Sequence, residues 1–267
     1  MNVLMCPPTE FQVAFEINPW MNIKKQPLKQ RAWQQWHKLF EVYQGLGLKI
    51  SLIKPEKELP DMVFVANAGL PINKKVILSN FRYKERRGEL IYYKKWFTSQ
   101  KFETITPPKN VYFEGQAEIV EIPDAFIFGF GKRGSKSASN FLKKYLNPKK
   151  EIISLKLVDD RFYHLDLCLM YARPINTIIY FPKAFDKKSQ KTIEKLKVFK
   201  IRISEKEAEK FLCNGITFKN FVVLGAKNSR VSALLKNKGL QVINLNLSEF
   251  KKSGGGVKCV SLFMDKN

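Results

Sequence analysis

Gln30-Arg31-Ala32-Trp33-Gln34-Gln35-Trp36-His37-Lys38-Leu39-Phe40-Glu41-Val42-Tyr43-Gln44-Gly45-Leu46 lies between two short apolar runs, residues 2–5 and 48–53. Its apolar residues Trp33, Trp36, Leu39, Phe40 and Tyr43 form a stripe of helical period. The flanking runs read as buried strands. This strand–helix–strand reading sets the rhythm of the whole chain. Further strands are expected at 75–78, 125–130, 177–180, 221–224 and 241–244, each bounded by turn or charged residues. Helical patterns occupy 85–97, 137–145, 188–196, 205–212 and 229–238, and Gly239 stands in a C-cap position after the last. A cycle of roughly 40 to 50 residues allows about five cycles. No linker interrupts them, so residues 1–267 are expected to form a single α/β domain, open to construction from repeated units. Periodicity alone does not choose between a doubly wound sheet and a propeller-like ring. No GxGxxG opens a helix after the first strand and no P-loop occurs, which argues against nucleotide binding.

Bulk properties narrow the function classes. The chain is 45% hydrophobic and 13% aromatic, enough to bury a sizeable core. The first eight residues lack a basic segment and a long apolar run, and no stretch approaches a membrane span. Cys6, Cys168, Cys213 and Cys259 are widely spaced, with no CxxC pair, and only His37 and His164 could join them as nitrogen ligands. A reduced, cytoplasmic protein with neither a zinc site nor a disulfide framework is expected. The net charge of +23 raises the idea of a nucleic-acid partner. Its lysines are scattered as pairs such as Lys94-Lys95 and Lys149-Lys150, so a solvated basic surface is the expected reading.

Chemistry-bearing residues recur at strand ends and in glycine loops. Gly254-Gly255-Gly256-Val257-Lys258-Cys259 places three glycines ahead of a thiol. Such a backbone admits close approach of a substrate at Gly256 and presents N–H groups to developing charge. A basic neighbour, Lys258, favours a thiolate. Taken alone, Cys259 reads equally as a small buried hydrophobe. His164-Leu165-Asp166, read as a strand, would put an imidazole and a carboxylate on one face. Cys168 would share that face, but the run Leu167-Cys168-Leu169-Met170 reads as core. Glu114 and Glu118 flank a glycine turn in an apolar setting. The stretch Leu59-Pro60-Asp61-Met62-Val63-Phe64-Val65-Ala66-Asn67-Ala68-Gly69-Leu70 reads as an apolar strand ending in Asn67, and Asn18 stands before Pro19. Arg82 and Arg133 lie in loops after strands, either of which could hold a carboxylate in a bidentate pair. His37 falls on the exposed side of its helix and is assigned no role.

In this order, the segments resemble the pentein superfamily of guanidino-group-modifying enzymes. Met5-Cys6-Pro7-Pro8 with Glu16-Ile17-Asn18-Pro19-Trp20-Met21 is similar to the bacterial arginine dihydrolase branch in particular. Pro60-Asp61-Met62-Val63-Phe64-Val65-Ala66-Asn67, Phe81-Arg82-Tyr83-Lys84-Glu85-Arg86-Arg87-Gly88-Glu89, Phe113-Glu114-Gly115, His164-Leu165-Asp166 and the Cys259 loop extend the resemblance over nearly the whole chain. It implies a five-bladed α/β propeller of repeated ββαβ units with a central site. It further implies Cys259 as nucleophile and His164 as general acid and base, with Glu118 and Asp166 gripping guanidinium nitrogens. Arg82 and Arg133 would hold the amino-acid carboxylate, Glu114 and Gly256 would line the substrate site, and Asn18 and Asn67 would match asparagines of the dihydrolase branch. One departure stands out. The family pattern Glu-Gly-x-Gly-Asp is here Glu114-Gly115-Gln116-Ala117-Glu118, so the acid is longer by about 1.5 Å. A misplacement near 1 Å costs on the order of 100-fold in rate. No threonine or serine directly follows Arg133, a second departure.

The expected protein is a guanidino hydrolase needing no metal and no cofactor, converting arginine to ornithine, ammonia and carbon dioxide. A deiminase or dimethylarginine hydrolase that stops at citrulline, and an amidinotransferase, are the alternatives within the class. A catalytically weakened binding protein of the same fold is the alternative outside it. The expected partner is a small guanidino substrate, with neither membrane nor nucleic acid, and homo-oligomerisation is left open.

Overall fold

A computed structural model describes residues 1–264. Among the described residues, fifteen strands fall into five sheets of three. They are β1 (Asn2–Met5), β2 (Lys49–Leu52), β3 (Gly69–Ile72), β4 (Lys75–Leu78), β5 (Glu103–Ile105), β6 (Ile119–Glu121), β7 (Ala125–Phe130), β8 (Glu151–Lys156), β9 (Leu169–Ala172), β10 (Thr177–Tyr180), β11 (Phe199–Arg202), β12 (Ile216–Phe218), β13 (Phe221–Leu224), β14 (Gln241–Asn244) and β15 (Leu262–Phe263). Four sheets repeat one plan: a short antiparallel hairpin, a helical crossover, then a strand returning parallel to the second. In β3–β4–β5, for instance, Leu70 faces Ile77 antiparallel and Val76 faces Thr104 parallel.

The fifth sheet is assembled from both ends of the chain. Its centre is β1, which pairs parallel with β2 after the helix Lys29–Gly45 and antiparallel with β15, Val3 facing Phe263. The first and last described strands therefore clasp in one ββαβ unit and complete the fivefold repeat. Cys259 lies just ahead of β15, so this clasp fixes the nucleophile candidate against the N-terminal segment.

The central strands explain which elements were legible. β7 and β10 are apolar runs buried along nearly their whole length, as expected of strands covered on both faces. Helix Lys29–Gly45 turns Ala32, Gln35, Trp36, Leu39 and Tyr43 inward, while Trp33 remains 43% exposed. Three expectations are corrected. The helix expected over 85–97 is two, Lys84–Arg87 and Glu89–Ser99, which meet at Gly88. Residues 59–67 form no strand: Pro60 opens a 3-10 turn, Pro60–Val63, followed by another, Val65–Asn67. His164 is extended, but it precedes a single helical turn, Leu165–Cys168, rather than sharing a strand face with Asp166. No helix among the described residues is long and apolar enough to cross a membrane.

Candidate active site

Cys259 lines a small, partly enclosed cavity of about 10 Å³, room for roughly one water. The wall includes Asn18, Asp61, Asn67, Arg86, Arg133 and His164, with Phe64, Tyr163, Ser253, Gly254 and Gly255 completing it. The glycine loop is there because nothing larger fits. Gly254 has φ +82°, and a Cβ on Gly255 would meet the Phe64 ring at 2.2 Å. The segment carrying Asn18 closes the cavity from outside. Asn18 Nδ2 donates to the Ser253 carbonyl at 3.2 Å, and Trp20 Nε1 donates to the Arg161 carbonyl at 2.7 Å.

Glu114 organises one wall. It is fully buried, and its Oε2 accepts from Arg133 Nη1 at 3.1 Å and lies 2.8 Å from His164 Nε2. Burial opposes ionisation of Glu114, but Arg133 and His164 outweigh it and hold the carboxyl well below the usual range. Burial lowers the His164 proton affinity in turn, against the pull of Glu114. The pair is therefore a carboxylate accepting from a neutral imidazole Nε2–H, which leaves Nδ1 as the ring's proton acceptor. Arg133 is sandwiched between the Tyr83 and Tyr163 rings, 4.6 and 4.7 Å from their centroids, and its Nη2 donates to the Ile17 carbonyl.

A second cluster surrounds Arg86. Its guanidinium donates to both Glu89 oxygens at 2.8 Å, to Asn67 Oδ1 at 2.8 Å and to the Asp61 carbonyl at 3.1 Å. These bonds use four of its five N–H donors. Asp61 is 3% exposed, and its Oδ1 has no hydrogen-bond partner among the described residues. Burial pushes its carboxyl up to about 7, against the lowering effect of Arg86.

Behind Cys259 stands a third group. The thiol is 3.7 Å from Asp166 Oδ2 and 3.2 Å from Asn214 Nδ2. Burial raises Asp166 to about 7 and lowers Lys258 to about 8, each charge opposing the effect on the other. Burial and Asp166 push the Cys259 thiol up, while the Gly256 N–H and Asn214 pull it down. Asp166 and Lys258 also border a second, larger cavity of about 250 Å³ that does not include Cys259.

The residues expected from sequence divide evenly. Cys259, His164, Asn18, Asn67 and Arg133 line the small cavity. Glu114, Asp166, Arg82 and Gly256 lie one contact behind it, and Glu118 stands a step further back against Glu114. Glu118 Oε2 accepts the Glu114 N–H at 3.0 Å and its carboxylate fills the space over Gly134, where a Cβ would come within 2.6 Å. Arg82 is half-buried over the Tyr112 ring and donates to the Arg133 carbonyl at 2.9 Å. Gly256 packs on Asn214, whose Oδ1 would lie 2.8 Å from an added Cβ. Sequence reasoning missed Asp61, Arg86 and Asn214. Asp61 looked like part of a strand, and Arg86 with Glu89 at i+3 has the spacing of an ordinary surface ion pair. Asn214 carries no local motif at all.

A family model described as "N,N dimethylarginine dimethylhydrolase, eukaryotic" matches residues 8–263. The bifunctional arginine dihydrolase/ornithine cyclodeaminase AgrE of Nostoc sp. is 37% identical over 97% of the chain, which spans 37% of that relative's length. The N(G),N(G)-dimethylarginine dimethylaminohydrolase of Mycobacterium tuberculosis is 34% identical over 97% of the chain and 84% of its own length. The N-terminal domain of ArgZ, solved as an asparagine-to-serine variant covalently bound to a reaction intermediate, superposes with a TM-score of 0.94 at 34% identity, covering 99% of this chain and 98% of that one. The five-sheet architecture is thus that of the pentein propeller.

Proposed function

The chain belongs to the dimethylarginine dimethylaminohydrolase family of pentein-fold proteins, and from that premise we propose that it is a cysteine-dependent arginine dihydrolase. The observation that carries the reading is the convergence of Cys259, the Glu114-held imidazole of His164, and two buried arginines on one small cavity. A thiol facing a guanidinium carbon can add to it, and the neutral imidazole can carry the proton to the departing amine. The same imidazole then takes a proton from water as the covalent adduct is hydrolysed. A second round on the ureido carbon completes the reaction: arginine and two waters give ornithine, two ammonia and carbon dioxide.

In this reading Arg133 and Arg86 face the amino-acid carboxylate, and the unpartnered Asp61 oxygen faces its ammonium. Asn18 and Asn67 lie on the wall where a guanidinium or ureido nitrogen must rest. Asp166 acts from behind the thiol. Glu114 is assigned to orienting His164 and Arg133, and Glu118 to supporting Glu114. Similarity to AgrE and ArgZ, both bifunctional arginine dihydrolase/ornithine cyclodeaminases, favours the dihydrolase over enzymes that release citrulline.

The test is product analysis with wild type and Cys259→Ser. Arginine is expected to yield ornithine with about two ammonia per turnover, and the serine variant to yield neither. Citrulline with one ammonia from arginine, or citrulline with dimethylamine from dimethylarginine, would replace the dihydrolase assignment. No product from any guanidino compound would remove the enzyme reading.

A further inference from the structure

We propose that Asn214 is a positioning residue that holds Cys259 in place and stabilises its thiolate, resting on the reading of Cys259 as nucleophile. Asn214 is fully buried, in a loop between the helical turn Glu205–Ala208 and β12, far in sequence from every motif discussed above. Its side chain spans the back of the nucleophile. Oδ1 accepts from the Lys258 N–H at 3.1 Å and the Cys259 N–H at 3.3 Å. Nδ2 donates to Cys259 Sγ at 3.2 Å and to the Asp166 carbonyl at 3.3 Å. Its own carbonyl accepts the Lys258 N–H at 3.2 Å.

One amide thus ties the backbone of the Cys259 loop, the sulfur and the Asp166 segment together. The bonding also fixes which way round the amide sits, because the oxygen faces two N–H groups and the nitrogen faces the sulfur. A donor aimed at sulfur favours the charged form over the neutral one. That matters here because burial and the neighbouring Asp166 both oppose a thiolate. The charged or titratable groups around the sulfur are Asp166, Lys258, Tyr163 and His164. Arg86, Arg133 and Asp61 stand further round the same cavity wall. Asn214 supplies a fixed dipole that does not titrate.

The test reads thiolate formation directly. Alkylation of Cys259 by iodoacetamide is followed across pH in wild type, Asn214→Asp and Gly256→Ala, with arginine turnover measured alongside. Asn214→Asp keeps an acceptor for the two N–H groups but removes the donor to sulfur. Gly256→Ala keeps the amide but presses on it, since its Cβ would sit 2.8 Å from Oδ1. Both are expected to move the alkylation profile to higher pH. At neutral pH alkylation and kcat should fall about tenfold to a hundredfold, the worth of a hydrogen bond to a charged group. KM for arginine should stay within about twofold, since Asn214 does not line the substrate cavity. An unshifted alkylation profile in either folded variant overturns the proposal, as does a loss carried by KM. If wild type alkylates at Cys259 but turns over no guanidino compound, the functional reading fails while the alkylation comparison still decides the role of Asn214.

Discussion

His164 Nε2 lies 2.8 Å from Glu114 Oε2, and the same carboxylate oxygen accepts from Arg133 Nη1 at 3.1 Å. One buried acid therefore orients the imidazole and neutralises an arginine at once. Glu114→Gln keeps the shape and removes the charge. Arg133 then loses its buried counter-ion, and a broken buried pair costs about 3–5 kcal/mol. The unfolding midpoint in denaturant should fall accordingly. Turnover should drop by about 100-fold or more, since His164 loses the charged acceptor that holds its tautomer and stabilises its protonated form. A variant with wild-type stability and activity would show that Glu114 has neither role.

Glu118 behaves oppositely to its neighbour. Burial, and then the charge of Glu114, push its carboxyl well above the usual range. Its Oε2 nevertheless accepts the Glu114 N–H. Glu118→Gln can make the same bond without a charge to bury, so its stability should stay within about 1 kcal/mol of wild type. Glu118→Asp restores the residue of the family pattern but withdraws the oxygen from that N–H and opens a gap beside Gly134. It should cost about 1–3 kcal/mol, read as a lower midpoint in thermal or denaturant melts. An aspartate variant more stable and more active than wild type would mean that the longer acid is a defect rather than part of this packing.

Much of this was legible in advance, and the parts that were not share a cause. Strands such as β7 and β10 announce themselves because burial on both faces demands unbroken apolar runs. The clasp of β1 with β15 has no local signal, since its two halves stand at opposite ends of the chain. Cys259, His164, Asn18, Asn67 and Arg133 were found through short motifs that also line the cavity. Arg82 was preferred to Arg86 through the family resemblance, with no local signal separating the two. The tight turn at Pro60 and the break at Gly88 set the directions of Asp61 and Arg86, and neither direction is encoded in residue spacing. Asn214 depends wholly on tertiary packing.

The two arginines make that difference measurable. Arg86 is 3% exposed and bonded to Glu89, Asn67 and the Asp61 carbonyl, whereas Arg82 is half-buried and bonded to the Arg133 carbonyl. Arg86→Lys cannot reproduce the forked set of bonds, and kcat/KM for arginine should fall about tenfold to a hundredfold, mainly through KM. Arg82→Lys should change it by about twofold at most, as for other substitutions outside the cavity wall. Steady-state kinetics of the two variants side by side decides the matter. Equal losses would return Arg82 to the substrate-binding set.

Asp61 links binding to pH. Burial, opposed by Arg86, raises its carboxyl to about 7, and the residue lines the cavity with an Oδ1 that has no hydrogen-bond partner among the described residues. To hold a substrate ammonium it must be ionised, so kcat/KM for arginine should fall as pH drops below about 7, approaching tenfold per unit. Asp61→Asn should be weaker throughout and lack that limb. The stability effect has the opposite sign. Between the ordinary carboxylate range, about 4, and about 7, the folded state keeps a proton that the unfolded chain has released. The contribution of Asp61 to stability is thus present at low pH and is lost as pH rises through about 7. Asp166 titrates in the same range, so the informative quantity is the difference between wild type and Asp61→Asn. Melting temperatures at pH 5 and pH 8 should show the variant gaining on wild type at the higher pH. A difference that does not change with pH would mean that Asp61 is already ionised in the folded protein at pH 5.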